Sequence, residues 1–324
     1  PAIEWMRTIF PLKFFLTLHY FHYFCEQNQE TMGFFKQLFG GGDNDNHTQE
    51  QQQDKARDFD VLKYDGVRAL RMQQFDYAAK CFVLALELNA DDLECRDYLS
   101  QAYISLGDMQ NAYTQLMAIS AAQPNNVAVL LRMADVLYMT EDYAAMAEVC
   151  EKALQLDSEN IMTYYIYAKA YKGLNDLDAA IAMLSKAIDR REDFDVARLL
   201  RGNVLLENNK TAEAALDADN LYQRIEENED VLLLKARVEK ALGNLKEAEK
   251  VYTKAIDFNP FLIEAYKERS EVRTALGDTA GAKEDQTRVD EMEQDIPQPT
   301  EGIEENIKKK MQQMDPYKVF HNEY

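Results

Sequence analysis

Between residues 59 and 296 the apolar positions follow two superposed rhythms. The short one is helical. Leu62, Gly66 and Ala69 stand at i, i+4 and i+7, and after Gln73-Gln74 a second stripe follows at Phe75, Ala78, Phe82, Ala85 and Leu86. Polar residues fill the positions between, so each stretch predicts an amphipathic helix with one buried face. Asn89-Ala90-Asp91 closes this first pair. The long rhythm is 34 residues, with no insertion or deletion. Gly66, Ser100, Ala134, Ala168, Gly202, Ala236 and Ser270 are spaced by it, and all are small. Ala78, Ala112, Met146, Ala180, Ala214, Ala248 and Ala282 form a second series, with only Met146 out of character. Self-similarity at this period predicts a solenoid of stacked helix pairs.

The small residues have a mechanical role. Two antiparallel helices approach to about 8–10 Å only where the crossing carries small side chains. The eighth place of each unit supplies one and the twentieth place the other, while Phe82, Leu116, Leu184 and Tyr252 fill the space beside them. The turns agree. Gly107-Asp108, Asn175-Asp176, Gly243-Asn244 and Gly277-Asp278 fall at one phase, and Gly and Asn tolerate the left-handed conformation that ends a helix. Pro124 and Pro260 recur where a second helix must stop.

This pattern resembles the tetratricopeptide repeat family, and the bacterial members in particular. The resemblance rests on the 34-residue unit, small residues at places eight and twenty, an aromatic near seventeen (Phe75, Tyr143), alanine near twenty-seven (Ala85, Ala153, Ala187, Ala255) and proline near thirty-two. It covers residues 59–296 and implies an all-α fold, a right-handed superhelix of about seven helix-turn-helix repeats. Arg201, Lys235 and Arg269 depart from it at the seventh place, as do Glu239, Arg273 and Gln286 at other apolar places. The last two units are therefore expected to pack less tightly than the rest.

The flanks read differently. Residues 1–31 begin with Pro1 and carry a dense apolar run from Ile9 to Phe24, interrupted by Pro11, Lys13, His19 and His22. That run is shorter than the ~20 residues of a membrane span, and no small-residue cleavage site follows it. Met32-Gly33-Phe34-Phe35-Lys36 has the look of a natural start, so 1–31 is read as upstream sequence outside the fold. Residues 32–58 are read as an amphipathic start followed by a flexible Gly-, Asn-, Asp- and Gln-rich linker over 40–58. Residues 297–324, set off by Pro297, Pro299 and Gly302, are read as a capping helix striped by Ile303, Ile307, Met311 and Met314, with a tail.

Composition narrows the function. The net charge of −21 argues against nucleic-acid binding, since phosphate contacts need a basic stripe, so no nucleic-acid partner is expected. Cys25, Cys81, Cys95 and Cys150 show no disulfide spacing and read as small buried hydrophobes. All four histidines lie outside residues 59–296, which removes His-based acid–base, nucleophilic and helical zinc chemistry from the array. His19, His22 and Cys25 share a helical face only within the upstream segment. Gly40-Gly41-Gly42 lacks the residues of a phosphate loop. No catalytic residue, metal or cofactor is expected, and the chain is read as a non-enzyme.

By the resemblance, places two, five, six, nine, twelve and thirteen of the first helices line a concave groove. Units one and two place Lys63, Tyr64, Tyr98 and Gln101 there, and unit six places Leu233, Leu234, Arg237 and Lys240. Units three to five are richest in aromatics, methionine and cations: Arg132, Tyr138, Met139, Met162, Tyr165, Lys169, Lys172, Leu199 and Asn203, beside Leu131 and Ile166. That composition suits a protein-binding hot spot, and its cations suit an acidic or C-terminal peptide. Chaperone-binding relatives clamp a terminal carboxylate through a fixed Lys, Asn, Asn, Lys, Arg set over three units. Here Lys63 is followed by Val67 and Tyr98, and Asn203 goes with Leu199 and Leu234, so the clamp is not expected. The sequence is read as a cytoplasmic scaffold that binds a peptide or helix of a partner protein. The alternative is a membrane- or envelope-associated assembly factor anchored by residues 1–39.

Overall fold

The computed structural model describes residues 44–295, apart from residue 226. Fourteen helices and no strand occur among them. The first helices of the units are α1 (Asn44–Arg71), α3 (Leu93–Ser105), α5 (Val127–Met139), α7 (Ile161–Gly173), α9 (Asp195–Glu207), α11 (Glu229–Ala241) and α13 (Ile263–Leu276). The second helices are α2 (Phe75–Leu88), α4 (Met109–Ala122), α6 (Tyr143–Leu156), α8 (Leu177–Arg190), α10 (Thr211–Arg224), α12 (Leu245–Phe258) and α14 (Thr279–Asp295). Each helix packs on its neighbours in sequence, and α5 with α7 and α9 with α11 also touch across units. The result is an all-α superhelix of seven helix pairs.

The crossing residues behave as their size requires. Ala78, Ala112, Met146, Ala180, Ala214 and Ala248 are fully buried. A side chain at Gly66 would meet the Phe82 ring at 2.7 Å, so glycine sets how close α1 and α2 approach. Ser270 donates from Oγ to the carbonyl of Ala282 at 3.0 Å, tying α13 to α14.

Every intra-unit turn has one geometry. The fifteenth place is left-handed in all seven units: Gln73, Gly107, Glu141, Asn175, Asn209, Gly243 and Gly277, with φ between 58° and 85°. The next amide donates back to the first helix, as from Asp108 to Tyr103 at 2.9 Å, Asp176 to Tyr171 at 2.9 Å and Asn244 to Glu239 at 2.9 Å. This 6→1 bond is the Schellman closure of a helix end. Four of the seven turns carry the Gly or Asn predicted for them, Asn209 makes a fifth, and Gln73 and Glu141 adopt the same conformation against their intrinsic preference. Asp92, Asp108, Asn126, Asp142, Asn160, Asp176 and Asn228 then cap the following helices, each accepting from an amide three residues on.

Two expectations change. The stretch expected as a flexible linker is helical from Asn44 onward, because α1 runs unbroken to Arg71. No proline or glycine follows Gly42 until Gly66, and Gln49 to Arg57 include four Gln with Glu50, Lys55, Ala56 and Arg57, which are good helix formers, so a helix anchored by packing past Phe59 extends backward. The last units are not loosely packed either. Apart from the exposed Gln286, their polar departures, like Arg201 one unit earlier, are buried or half-buried and bonded. Arg201 makes a two-pronged pair with Asp217 at 2.8 and 2.7 Å and reaches Ser185 of the preceding unit at 3.0 Å. Two units later, Arg269 pairs with Asp285 at 3.0 and 2.6 Å and reaches Thr253 at 3.0 Å. Between them Lys235 holds Asp219 and Glu239. Cys81, Cys95 and Cys150 are buried and unpaired, as expected. The expected capping helix and residues 1–43 lie outside the described residues.

Candidate protein-binding groove

The first helices present one line of side chains per unit, and the fifth place makes the clearest one. Leu131, Tyr165, Leu199 and Leu233 follow each other there at the repeat spacing, with Met162 and Val196 exposed beside them at the second place. Two recesses open along this line. The first, about 480 Å³, is lined by Tyr138, Tyr143, Tyr165, Lys169, Lys172, Gly173 and Leu200. Gly173 makes room in it, since any side chain there would collide with the Tyr143 ring. The second, about 260 Å³, begins at the same Tyr165 and Leu200 and continues past Leu199, Asn203 and Arg237.

The structure therefore brings together Tyr138, Tyr165, Lys169, Lys172, Leu199 and Asn203 of the sequence-predicted set. Arg132, Met139 and Met162 line neither recess, although Met139 is 61% and Met162 44% exposed. Ile166 and Leu234, expected on the groove surface, are buried, and Leu233, although almost wholly buried, still lines the second recess. Leu234 packs where a side chain at Gly202 would otherwise sit.

The aromatics brace one another. Tyr138 meets Tyr143 edge-on at 6.0 Å, and Tyr165 packs against Phe194 at 5.5 Å. Burial pushes the Tyr165 phenol up, and the neighbouring Tyr138 adds to it, so Tyr165 enters any contact as a neutral ring with a donor at its tip. Asn203 is turned inward, its side chain donating to the Leu199 carbonyl at 3.0 Å.

Charge is where the groove differs most from the sequence reading. Arg132 is committed to Asp97 and to Ser100 Oγ at 2.6 Å. Lys172 pairs with Glu207 at 2.8 Å. Arg237 is held by Glu264 and Glu268, and Lys240 by Glu271. Lys169 differs from these: its ammonium lies 3.6 Å from the Tyr138 ring centre, a cation–π contact across two units. Reading groove places for opposite charges in adjacent units would have found these pairs, because each carboxylate sits at a groove place of the neighbouring repeat. Tyr143 was missed because its seventeenth place belongs to the second helix, whereas Leu200 stands at a sixth place, a groove place by the register, and was simply not singled out.

Among the described residues no group of three or more His, Cys, Asp or Glu side chains is arranged to hold a metal, and no helix is long and apolar enough to cross a membrane. His19, His22 and Cys25 lie outside the described residues.

A superhelix of seven helix pairs in one register, with an aromatic groove, defines an interaction scaffold by class. Comparison with known proteins gives the family. Tetratricopeptide repeat profiles match residues 168–229 and 229–261, and with the seven units in register the chain is a tetratricopeptide repeat protein. Its fold is similar to the C-terminal part of a repeat-containing protein from Cytophaga hutchinsonii, at a TM-score of 0.57 and 14% identity, over 70% of this chain and 93% of that one. It is also similar to a tetratricopeptide repeat protein from Parabacteroides merdae, at 0.56 and 22%, over 61% and 78%. PilF of Pseudomonas aeruginosa matches at 0.53 and 17%, over 67% and 99%. In sequence, the DnaJ homolog subfamily C member 3 of Gallus gallus is 31% identical over 104 residues, which is 32% of this chain and only 20% of that protein.

Proposed function

We propose that this protein is a non-catalytic adaptor that seats a segment of a partner protein in the concave groove of units three to five. The observation that carries this reading is the pair of adjoining recesses sharing Tyr165 and Leu200. Tyr138, Tyr165 and Leu199 serve as apolar anchors. Lys169 supplies the complementary charge for an acidic residue of the partner, because its ammonium rests on the Tyr138 ring and feels the Asp135 carboxylate only at longer range. The other groove cations are already neutralised inside the protein, so the partner need carry only a local acidic residue. Three buried, unpaired cysteines suit a reducing compartment, and we assign the protein to the cytoplasm.

The test is affinity capture with the full chain, followed by binding measurements on the captured partner. Tyr165→Ala is expected to weaken binding by about 2 kcal/mol, roughly thirtyfold. Lys169→Glu is expected to slow association and flatten its salt dependence. If both variants bind as the parent does while changes on the outer helices abolish binding, the groove is the wrong face.

A further inference from the structure

The two adjoining recesses of the groove differ in charge. Lys169 and Lys172 are the charged residues that line the first. The second is lined by two carboxylates, Asp230 and Glu264, and by Arg237. In each, one charge is left over. Lys172 is taken by Glu207, whereas the Lys169 ammonium rests on the Tyr138 ring. Arg237 is taken by Glu264 and Glu268, whereas Asp230 makes no ion pair among the described residues. The repeat register explains the odd carboxylate. Glu264 stands at the second place of unit seven, and its partner Arg237 stands at the ninth place of the unit before. Asp230 holds the same second place in unit six, but the ninth place before it is Asn203, whose side chain is turned away to the Leu199 carbonyl. One step of the groove therefore lacks its internal cation. Asp230 also sits in the first turn of α11, where a carboxylate favours the helix N-terminus, but that role does not require it to line a recess.

We infer, resting on the groove reading above, that the seated segment is bipolar and extended: it brings a basic residue to Asp230 as well as an acidic residue to Lys169, with apolar residues between. The dimensions agree. Lys169 and Asp230 belong to units four and six. Packed helices stand about 8–10 Å apart, so two steps across the first helices cover about 20 Å. The passage from ninth to second place adds an offset of about 10 Å along the helix direction. Together they separate the two backbones by about 22 Å, which about six extended residues span. Side chains of an extended chain alternate in direction, so residues i, i+2, i+4 and i+6 face the groove together. The outer two are the acid and the base, and the inner two meet Tyr165 and Leu199. Opposite charges at the two ends fix the register and disfavour segments that carry only one of them.

The test uses the full chain and a fluorescently labelled peptide, Glu-Ser-Leu-Ser-Leu-Ser-Lys with blocked ends, followed by anisotropy. Replacing the peptide's Lys by Gln is expected to weaken binding by about fivefold, and replacing its Glu by Gln by a similar factor. Asp230→Asn should abolish the first difference and leave the second, and Lys169→Gln should do the reverse, since a pairwise coupling disappears when either partner is removed. Tyr165→Ala should weaken every peptide, which reports on the groove itself. If the Lys and Gln peptides bind the parent equally, or their difference survives Asp230→Asn, the bipolar inference is overturned while the groove stands. If the peptides bind but ignore Tyr165→Ala, the groove reading falls and takes the inference with it. Absence of binding by all of the peptides also overturns the inference.

Discussion

At the scale of single residues, the turn positions show how strongly the repeat enforces its geometry. Gln73 and Glu141 hold φ of 59° and 58° although neither residue favours the left-handed region. That conformation costs a non-glycine residue about 1–2 kcal/mol, and the cost is accepted because the 6→1 bond and the crossing below it depend on the turn. Glu141→Gly is therefore expected to stabilise the protein by about 1 kcal/mol, less the extra freedom glycine gains when unfolded. Chemical denaturation would check it, with a lowered midpoint counting against the account. These two turns were illegible in the sequence for the same reason. A left-handed Glu or Gln leaves no compositional mark, whereas Gly107, Asn175, Gly243 and Gly277 announce themselves.

Helices and their crossings are the scale at which the sequence spoke most clearly. Seven small residues at place eight face seven residues at place twenty, and every pair solves one packing problem, so the register survived even Met146. Ala180 has no exposed surface, and Ala180→Leu should overpack the α7–α8 crossing at a cost of roughly 1–3 kcal/mol. Hydrogen exchange should show the loss in unit four and its two neighbours, and unchanged protection there would contradict it. The sequence misled at Arg201, Lys235 and Arg269. A charge at a packing place reads as surface until its partner is known, and the partner Asp217 or Asp285 lies sixteen residues on, against the opposite helix. In the groove the apolar anchors were legible from register alone, while the loss of Arg132 and Lys172 to internal pairs depends on side-chain reach.

The Lys235 cluster makes one such crossing sensitive to acid. Burial alone would raise the Glu239 carboxyl, but hydrogen bonds from Lys235 and Asn244 outweigh it and hold the pKa below its ordinary value of 4.5. A carboxyl depressed on folding contributes stability that is present above its unfolded pKa and is lost as pH falls through the folded one. Lys235, raised above 10.5 by Asp219 and Glu239 against the opposing effect of burial, keeps its contribution throughout that range. Glu239→Gln is expected to cost about 2 kcal/mol near neutrality. The difference from the parent should shrink below pH 4.5 and vanish in stronger acid. A difference that persists unchanged into acid would show that the carboxylate charge is not what stabilises the cluster.

Across the whole molecule the interfaces between units change character. Leu99, Met133 and Tyr167 occupy the seventh place in units two to four, and Arg201, Lys235 and Arg269 occupy it in units five to seven. Stacked repeats couple mainly to their nearest neighbours, so what holds one crossing matters most to the repeats beside it. An apolar crossing tolerates any side chain of similar volume, whereas a buried arginine or lysine is tied to its one carboxylate and is strongly destabilised by losing it. The groove of units three to five lies across that boundary, so its two ends rest on neighbours held by different forces.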